Sequence, residues 1–444
     1  MKILIIGQCS LQWGRMEFGN IGNYYILEPF VRELHNVFPN AHIKTTMQLS
    51  ERFCKDEKIR VVPLDLYYGF TGNDLRTARK EIDLVDDYIK NGVFIEKTSY
   101  IEEVLDADLV IDFSGDIWGD NANFLGKDRF EVGLLKDMVA QKLGKPTFLL
   151  AGSPGPFNDG RTEIIAKEVF KDFTLITNRE PISTELLKQN GFDVTRVKDL
   201  ACPAFLFEPA KGAKINKLLD KEGLLEKEKP SIGFIICGWN FKVGPFDKWP
   251  REDSEYDIFA EAIEFVSNNL GAKVYLMSHS NGFPIPPVKF ELQRGRDFPI
   301  VSQLHNILKH RGKANEVILL DGIYDVWATK AIIGNFDMLV SGRVHGAVAG
   351  LSQSVPTVIL DYGHEPKAHK LRGFARVADQ EGFLCDPNIP NDIIDKIKLC
   401  WNSRELIRER LDARIPFVQD LAKQNFRLVK ENFFQNNGLV SLKK

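Results

Sequence analysis

Two arginines stand directly after β-rich runs of the sequence: Arg179 follows FTLITN and precedes Glu180-Pro181, and Arg343 follows FDMLVSG and precedes Val344-His345. A guanidinium holds a carboxylate or phosphate through parallel N–H donors, so two of them at matching strand ends fit a small ligand carrying two or three negative charges. His345, two residues on, faces the same cleft. The bland alternatives are that Arg343 pairs with a carboxylate, that His345 is a core or capping histidine, and that Arg179 pairs with Glu180 or an interdomain acid. Lys367 and Lys370, after VPTVILDYG, are further cations that either face the same cleft or are merely solvated.

Glycine-containing loops supply backbone donors. GNIGN (19–23), with Gly22 and Asn23, precedes a long amphipathic stretch, and GSPGPF (152–157), with Ser153 and Gly155, follows the run TFLLA. Free N–H groups at a helix start make an anion or hydroxyl site, although any tight turn uses glycine. SGDIWGDN (114–121) offers Asp116, Trp118 and Asp120, acids beside an aromatic ring that suit a sugar's hydroxyls and apolar face; an Asx-turn explains the same residues. His279, after KVYLMS, is another cleft candidate. No metal is expected. His364 and His369 are five apart with Pro366 between them and cannot share one helix face, and Asp106-x-Asp108 leads straight into DLVIDF as a helix-to-strand turn. GxxxxGK[ST], GxGxxG after the first strand and HExxH are absent, and no cofactor is expected.

The elements that must position these residues are α/β. KILIIG, HIKTTM, IRVVP, DLVIDF, TFLLAG and FTLITN read as strands, alternating with helices such as NYYILEPFVRELHNVF, DLRTARKEIDLVDDYIK and RFEVGLLKDMVAQKLG. Residues 208–230 are Lys-rich and strandless, a linker. A second series follows, SIGFIIC, KVYLMSH, EVILL, FDMLVSG and VPTVIL. The expectation is two Rossmann-like doubly wound domains, 1–207 and 231–400, facing a central cleft, with helices over 401–444 packing back on the first. Ligands of such sheets bind beyond the carboxyl ends of the strands.

Of the 444 residues, 58 Lys and Arg against 61 Asp and Glu leave a net charge of −3, and 44% are hydrophobic. That excludes disorder and the basic face a nucleic acid needs. ILII is too short for a signal peptide, and no run reaches membrane-spanning length. Cys9, Cys54, Cys202, Cys237, Cys385 and Cys400 are scattered and form no CxxC pair. The reading is a reducing, cytoplasmic location, with peripheral association at the inner face of the membrane left open.

Taken in order from residue 1 to about 375, these residues resemble the polysaccharide pyruvyl transferase family: GNIGN for its GN-x-GD loop, DLVIDFSGD, GSPGPF, REPIS for RE-x-x-S, RVHG for R-x-H, and Lys367 after the strand VPTVIL. Asn23 stands where the family pattern has Asp, and Asp116 replaces the second glycine of GG. The resemblance implies a GT-B-like fold and transfer of pyruvate from phosphoenolpyruvate to paired hydroxyls of a sugar or lipid-linked oligosaccharide, leaving a cyclic ketal. It implies donor contacts from Arg179, Arg343, His345, Lys367, Ser153 and Gly155, and acceptor contacts from Gly22, Asn23, Asp116, Trp118, Asp120 and His279. His345, Arg343 and Asp116 are its catalytic candidates. The rival readings are a nucleotide-sugar glycosyltransferase, for which no base-and-ribose site is evident, and a non-catalytic carbohydrate- or anion-binding relative.

Overall fold

The structure, a computed structural model, describes residues 1–7, 19–124, 126–242, 244, 249–281, 295–363 and 368–441. Two parallel sheets form its frame. The first contains β1 (Lys2–Ile6), β2 (His42–Thr45), β3 (Ile59–Val61), β4 (Leu109–Asp112), β5 (Thr147–Gly152), β6 (Leu175–Asn178) and β7 (Val197–Asp199), ordered β3-β2-β1-β4-β5-β6-β7. The second contains β8 (Ser231–Ile235), β9 (Lys273–Leu276), β10 (Val317–Leu319), β11 (Met338–Ser341), β12 (Thr357–Leu360) and β13 (Leu384–Cys385), ordered β10-β9-β8-β11-β12-β13.

Central strands such as β4, β5, β8 and β11 are buried along their whole length, because helices cover both faces of each sheet. That is why they read as unbroken apolar runs. The edge strands β7 and β13 are short, and β7 is polar and half-exposed; neither is foreshadowed by an apolar run. The stretch 208–230 contains no strand but does contain a helix, Ala213–Lys221, which buries Ile215 and Leu219.

One continuous apolar cluster joins the two sheets, running from Ile5 and Phe30 through Phe205 to Phe234 and Leu339. The last helix, Arg404–Ser441, lies against the first sheet's helices and strand ends. Its Phe426 meets the ring of Phe30 edge-on at 5.1 Å, Asn425 Nδ2 donates to Ala201 O at 3.0 Å, and Asn425 Oδ1 accepts from Thr177 Oγ1 at 2.5 Å. The β6 strand that ends beside Arg179 is therefore braced from the far end of the sequence.

Candidate active site

The residues with chemical potential gather at the carboxyl ends of the strands, where the two halves meet. Strand β5 sets the first of them. Its pairing with β6 shifts register between Leu149 and Gly152, and Ala151 takes a left-handed φ of 51°, its amide donating to Thr177 Oγ1 at 2.8 Å. The kink brings Ser153 beside Arg179, whose Nε donates to Ser153 Oγ at 2.9 Å. Arg179 is 2% exposed, and its guanidinium lies 5.5 Å from the ring centre of Phe374 in the second half of the molecule. Asp116 completes the group: one carboxylate oxygen is 4.0 Å from Arg179 Nη2, and the other accepts a short hydrogen bond from Lys370 Nζ. Lys370 is almost fully buried, while the Asp116 side chain keeps 40% of its surface open. Burial lowers the Lys370 ammonium from its ordinary value, and Asp116 works against that shift.

His345 is the second residue of the helix Val344–Leu351. Its imidazole meets the ring of Phe374 edge-on at 6.1 Å, and its Nε2 lies 3.9 Å from Cys202 Sγ. Burial, then the neighbouring Arg179, His279 and Lys370, push it well below the ordinary histidine value, with only Asp116 acting the other way. The cations that depress His345 are Arg179 and Lys370. Arg343 turns instead to Asp297, donating from Nε to both carboxylate oxygens at 3.1 Å and from Nη2 to Oδ1. Burial opposes its charge, but Asp297 and the other anionic neighbours outweigh burial and hold the guanidinium protonated. The carboxylate pairing considered for Arg343 is therefore real, and it fixes the guanidinium at the mouth of β11.

Several expectations need correction. The GSPGPF amides are not free anion donors: Ser153 N donates to Gly115 O and Gly155 N to Trp118 O, both at 2.8 Å, and Gly155 sits at φ 104° in a loop-locking turn. Ser153 acts through its hydroxyl, by holding Arg179. Trp118 is not a sugar platform. It is 1% exposed, is ringed by Phe130, Phe157, Phe170, Phe173 and Phe192, and its Nε1 reaches Asp137 at 3.5 Å. Trp118→Phe is accordingly expected to cost about 1–2 kcal/mol of stability, checked by denaturant melts. Asp120 is a loop and helix anchor whose Oδ2 accepts from the amides of Asn158 and Asp159, leaving little of it for an acceptor.

Gly22 serves a close approach: a Cβ there would lie 2.6 Å from His345 Nδ1. Its role is to let the first helix, Ile21–Val37, seat against the imidazole. Asn23 is half-buried next to it, with Nδ2 buried and unpartnered. His279 is 2% exposed, lies edge-on to Tyr25 at 5.5 Å and has an unpartnered Nε2; burial and then Arg343 lower it to about 3, so it stands in this pocket as a neutral imidazole. Lys367, with His364, lies outside the described residues; Lys370 is the lysine that reaches Asp116.

Four contributors were not assigned from sequence. Asp297 precedes the helix Phe298–His310 and resembles an ordinary cap, yet its carboxylate accepts from the amides of His279 and Ser280 and from Arg343. Phe374 and Cys202 have no local signal at all. Lys370 was one of two equivalent lysines until the helix Ala368–Val377 placed it. Among the described residues no group of three His, Cys, Asp or Glu side chains is arranged to hold a metal ion.

Two parallel Rossmann-like sheets with a returning C-terminal helix and a site at their shared strand ends define the GT-B class of fold. Solved structures agree: the chain is similar to a glycosyltransferase from Rickettsia africae (TM-score 0.57, 11% identity, covering 98% of this chain and 99% of that one). It is also similar to Anabaena HepE in complex with UDP and glucose (TM-score 0.53, 16% identity, 99% and 100% covered), and to the UDP complex of Staphylococcus aureus MnaA (TM-score 0.55, 12% identity, 98% and 97% covered). Within that class, the family model for polysaccharide pyruvyl transferase matches residues 20–364, and the chain belongs to that family of transferases. It is 21% identical over 404 residues to the amylovoran biosynthesis protein AmsJ of Erwinia amylovora, covering 88% of this chain and 90% of that protein.

Proposed function

We propose that the protein transfers pyruvate from phosphoenolpyruvate to two hydroxyls of a sugar in an exopolysaccharide or its lipid-linked precursor, forming a cyclic ketal and releasing inorganic phosphate. The observation that carries this reading is the convergence of Arg179, Lys370 and His345 on Asp116 across the domain seam, in a chain of the pyruvyl transferase family. Phosphoenolpyruvate has a carboxylate and a phosphate, and Arg179 and Lys370 are two buried cations held by one partly open carboxylate. The donor displaces Asp116 from them. Once displaced, Asp116 is a free carboxylate able to accept the proton of an attacking hydroxyl.

The proton count fixes what else is required. Two hydroxyls lose two protons; one goes to the enol methylene carbon, making a methyl group, and one leaves with phosphate. The central carbon forms two C–O bonds to the sugar as its bond to the phosphate oxygen breaks. His345 either protonates the methylene carbon or binds the phosphate, while Arg343 is held by Asp297. Among the described residues no helix is long and apolar enough to cross a membrane. As part of the same proposal, a lipid-linked acceptor would be met at the cytoplasmic face of the membrane.

The test is calorimetry. Because His345 is held below its ordinary value before donor binds, a bound phosphate must raise it, so phosphoenolpyruvate binding takes up protons and its affinity falls as pH rises through the bound-state value. Titrations in buffers of different ionisation enthalpy should show this uptake, and His345→Gln should abolish it. Tight binding of a uridine diphosphate sugar with no response to phosphoenolpyruvate would overturn the proposal in favour of glycosyl transfer.

A further inference from the structure

Beneath the loop that carries Asp116 lie two fully buried carboxyls, Asp112 at the end of β4 and Asp137 on the helix Arg129–Lys142, each 1% exposed. Asp112 Oδ1 accepts from Ser114 Oγ at 2.5 Å, and Asp137 Oδ2 accepts from Trp118 Nε1 at 3.5 Å. Their remaining oxygens, Asp112 Oδ2 and Asp137 Oδ1, are both buried without a hydrogen-bond partner, and the two carboxyls are near enough to act on one another. Two carboxylates have only acceptors to offer one another, so they can satisfy each other's buried oxygens only with a proton on one of them. The two ends of the loop 114–118 are thus tied to the two halves of one acid pair, and Asp116 is at its centre.

We propose that Asp112 and Asp137 share one proton and act as positioning residues, fixing the loop 114–118 so that Asp116 is held at the site beside Lys370 and Arg179, where the donor and the attacking hydroxyl meet it. The claim that this matters to turnover rests on the role given to Asp116 above; the claim about the pair does not. Burial is the leading cause that raises both acids, Asp112 to about 7, and their mutual repulsion raises Asp137 further. Among the described residues, Tyr67 after the turn Leu64–Leu66 and Tyr100 on the helix Ser99–Asp106 face both acids. Glu81 on the helix Asp74–Asn91, paired with Lys136, is felt through Tyr100. Arg129 is the cation that acts on Tyr67.

The sign follows from the raised values. The folded state holds a proton that the unfolded chain releases near pH 4, so the pair's contribution to stability declines from about that pH and is fully lost above its folded value. His345 and His279, depressed on folding, act only below about pH 6.5 and with the opposite slope. The pair is therefore seen by difference above pH 7.

The experiment compares the wild type with Asp137→Asn, which supplies a permanent donor in the proton's place, with Asp137→Leu, and with Ser114→Ala. In infrared difference spectra at pH 7, wild type minus Asp137→Asn should show the carbonyl stretch of a protonated carboxylic acid. Amides 114–118 should exchange with deuterium as slowly in Asp137→Asn as in the wild type, and faster in Ser114→Ala and Asp137→Leu. The fall in melting temperature from pH 7 to 9 should be smaller in Asp137→Asn. Pyruvyl transfer should drop by about 10²-fold in Ser114→Ala, the scale of a small misplacement, with Asp137→Asn close to wild type. Absence of the carboxylic acid band, or unchanged exchange in Ser114→Ala, overturns the proposal even if Asp137→Leu fails to fold. A band and loop protection that behave as expected, with no transfer activity in any variant or the wild type, uphold the pair and instead refute the donor assignment.

Discussion

Replacing Arg179 by alanine is expected to lower kcat/KM for the donor by about 10²–10³-fold, the scale of removing one preorganised charge donor from a water-poor site, while the protein remains folded. The geometry says why the loss falls on the ligand. Arg179 rests on Phe374 and is oriented by Ser153, and among the described residues the acid found within 4.0 Å of it is Asp116, which also has Lys370. Asp116 is therefore not orphaned when Arg179 goes. Arg179→Lys should recover only part of the loss, because an ammonium keeps the charge and gives up the fork. Steady-state kinetics over a range of donor concentration decide it. Full activity in Arg179→Ala would remove the residue from the site and with it the shared-seam reading of the two domains.

The largest stability effect is expected at Asp297. It is fully buried, counters Arg343 and accepts from two backbone amides of the loop after β9. Asp297→Ala leaves a largely buried guanidinium and two amides without acceptors, a loss of about 3–5 kcal/mol. Asp297→Asn keeps an acceptor oxygen and should lose less. Adding Arg343→Met to Asp297→Ala should restore part of the stability, since the uncompensated charge goes with it, without restoring activity. Denaturant midpoints measured at pH 7 give the comparison; a loss in Asp297→Ala below about 1 kcal/mol, typical of an ordinary surface position, would show that Arg343 finds another partner.

How much of this was legible in the sequence follows from the range of the interactions. Buried parallel strands must be apolar throughout, so β1, β4, β5, β8 and β11 announce themselves within five or six residues. Arg179, Arg343 and His345 were legible for a related reason: polar residues directly after such runs have to emerge at strand ends. Trp118 misled because the same short loop alternates between outward Asp116 and inward Trp118, and no local rule states which way each side chain points. Asp297 and Cys202 were invisible because their meaning lies in partners 46 and 143 positions away. Lys370 was visible as a cation but not distinguishable from Lys367 until a helix phase was known.

The bond between Thr177 and Asn425 spans 248 positions, and it gives the site a history during synthesis. At the roughly 5–20 residues per second of translation, about 12–50 s separate the appearance of the strand that ends beside Arg179 from that of the helix that braces it. Through that interval the first sheet waits on the ribosome with the seat of Phe426, against Phe30, uncovered. A premature stop codon shortly before Asn425 would then silence chemistry encoded about 250 codons earlier, because the half of the molecule made first is among the last to be finished.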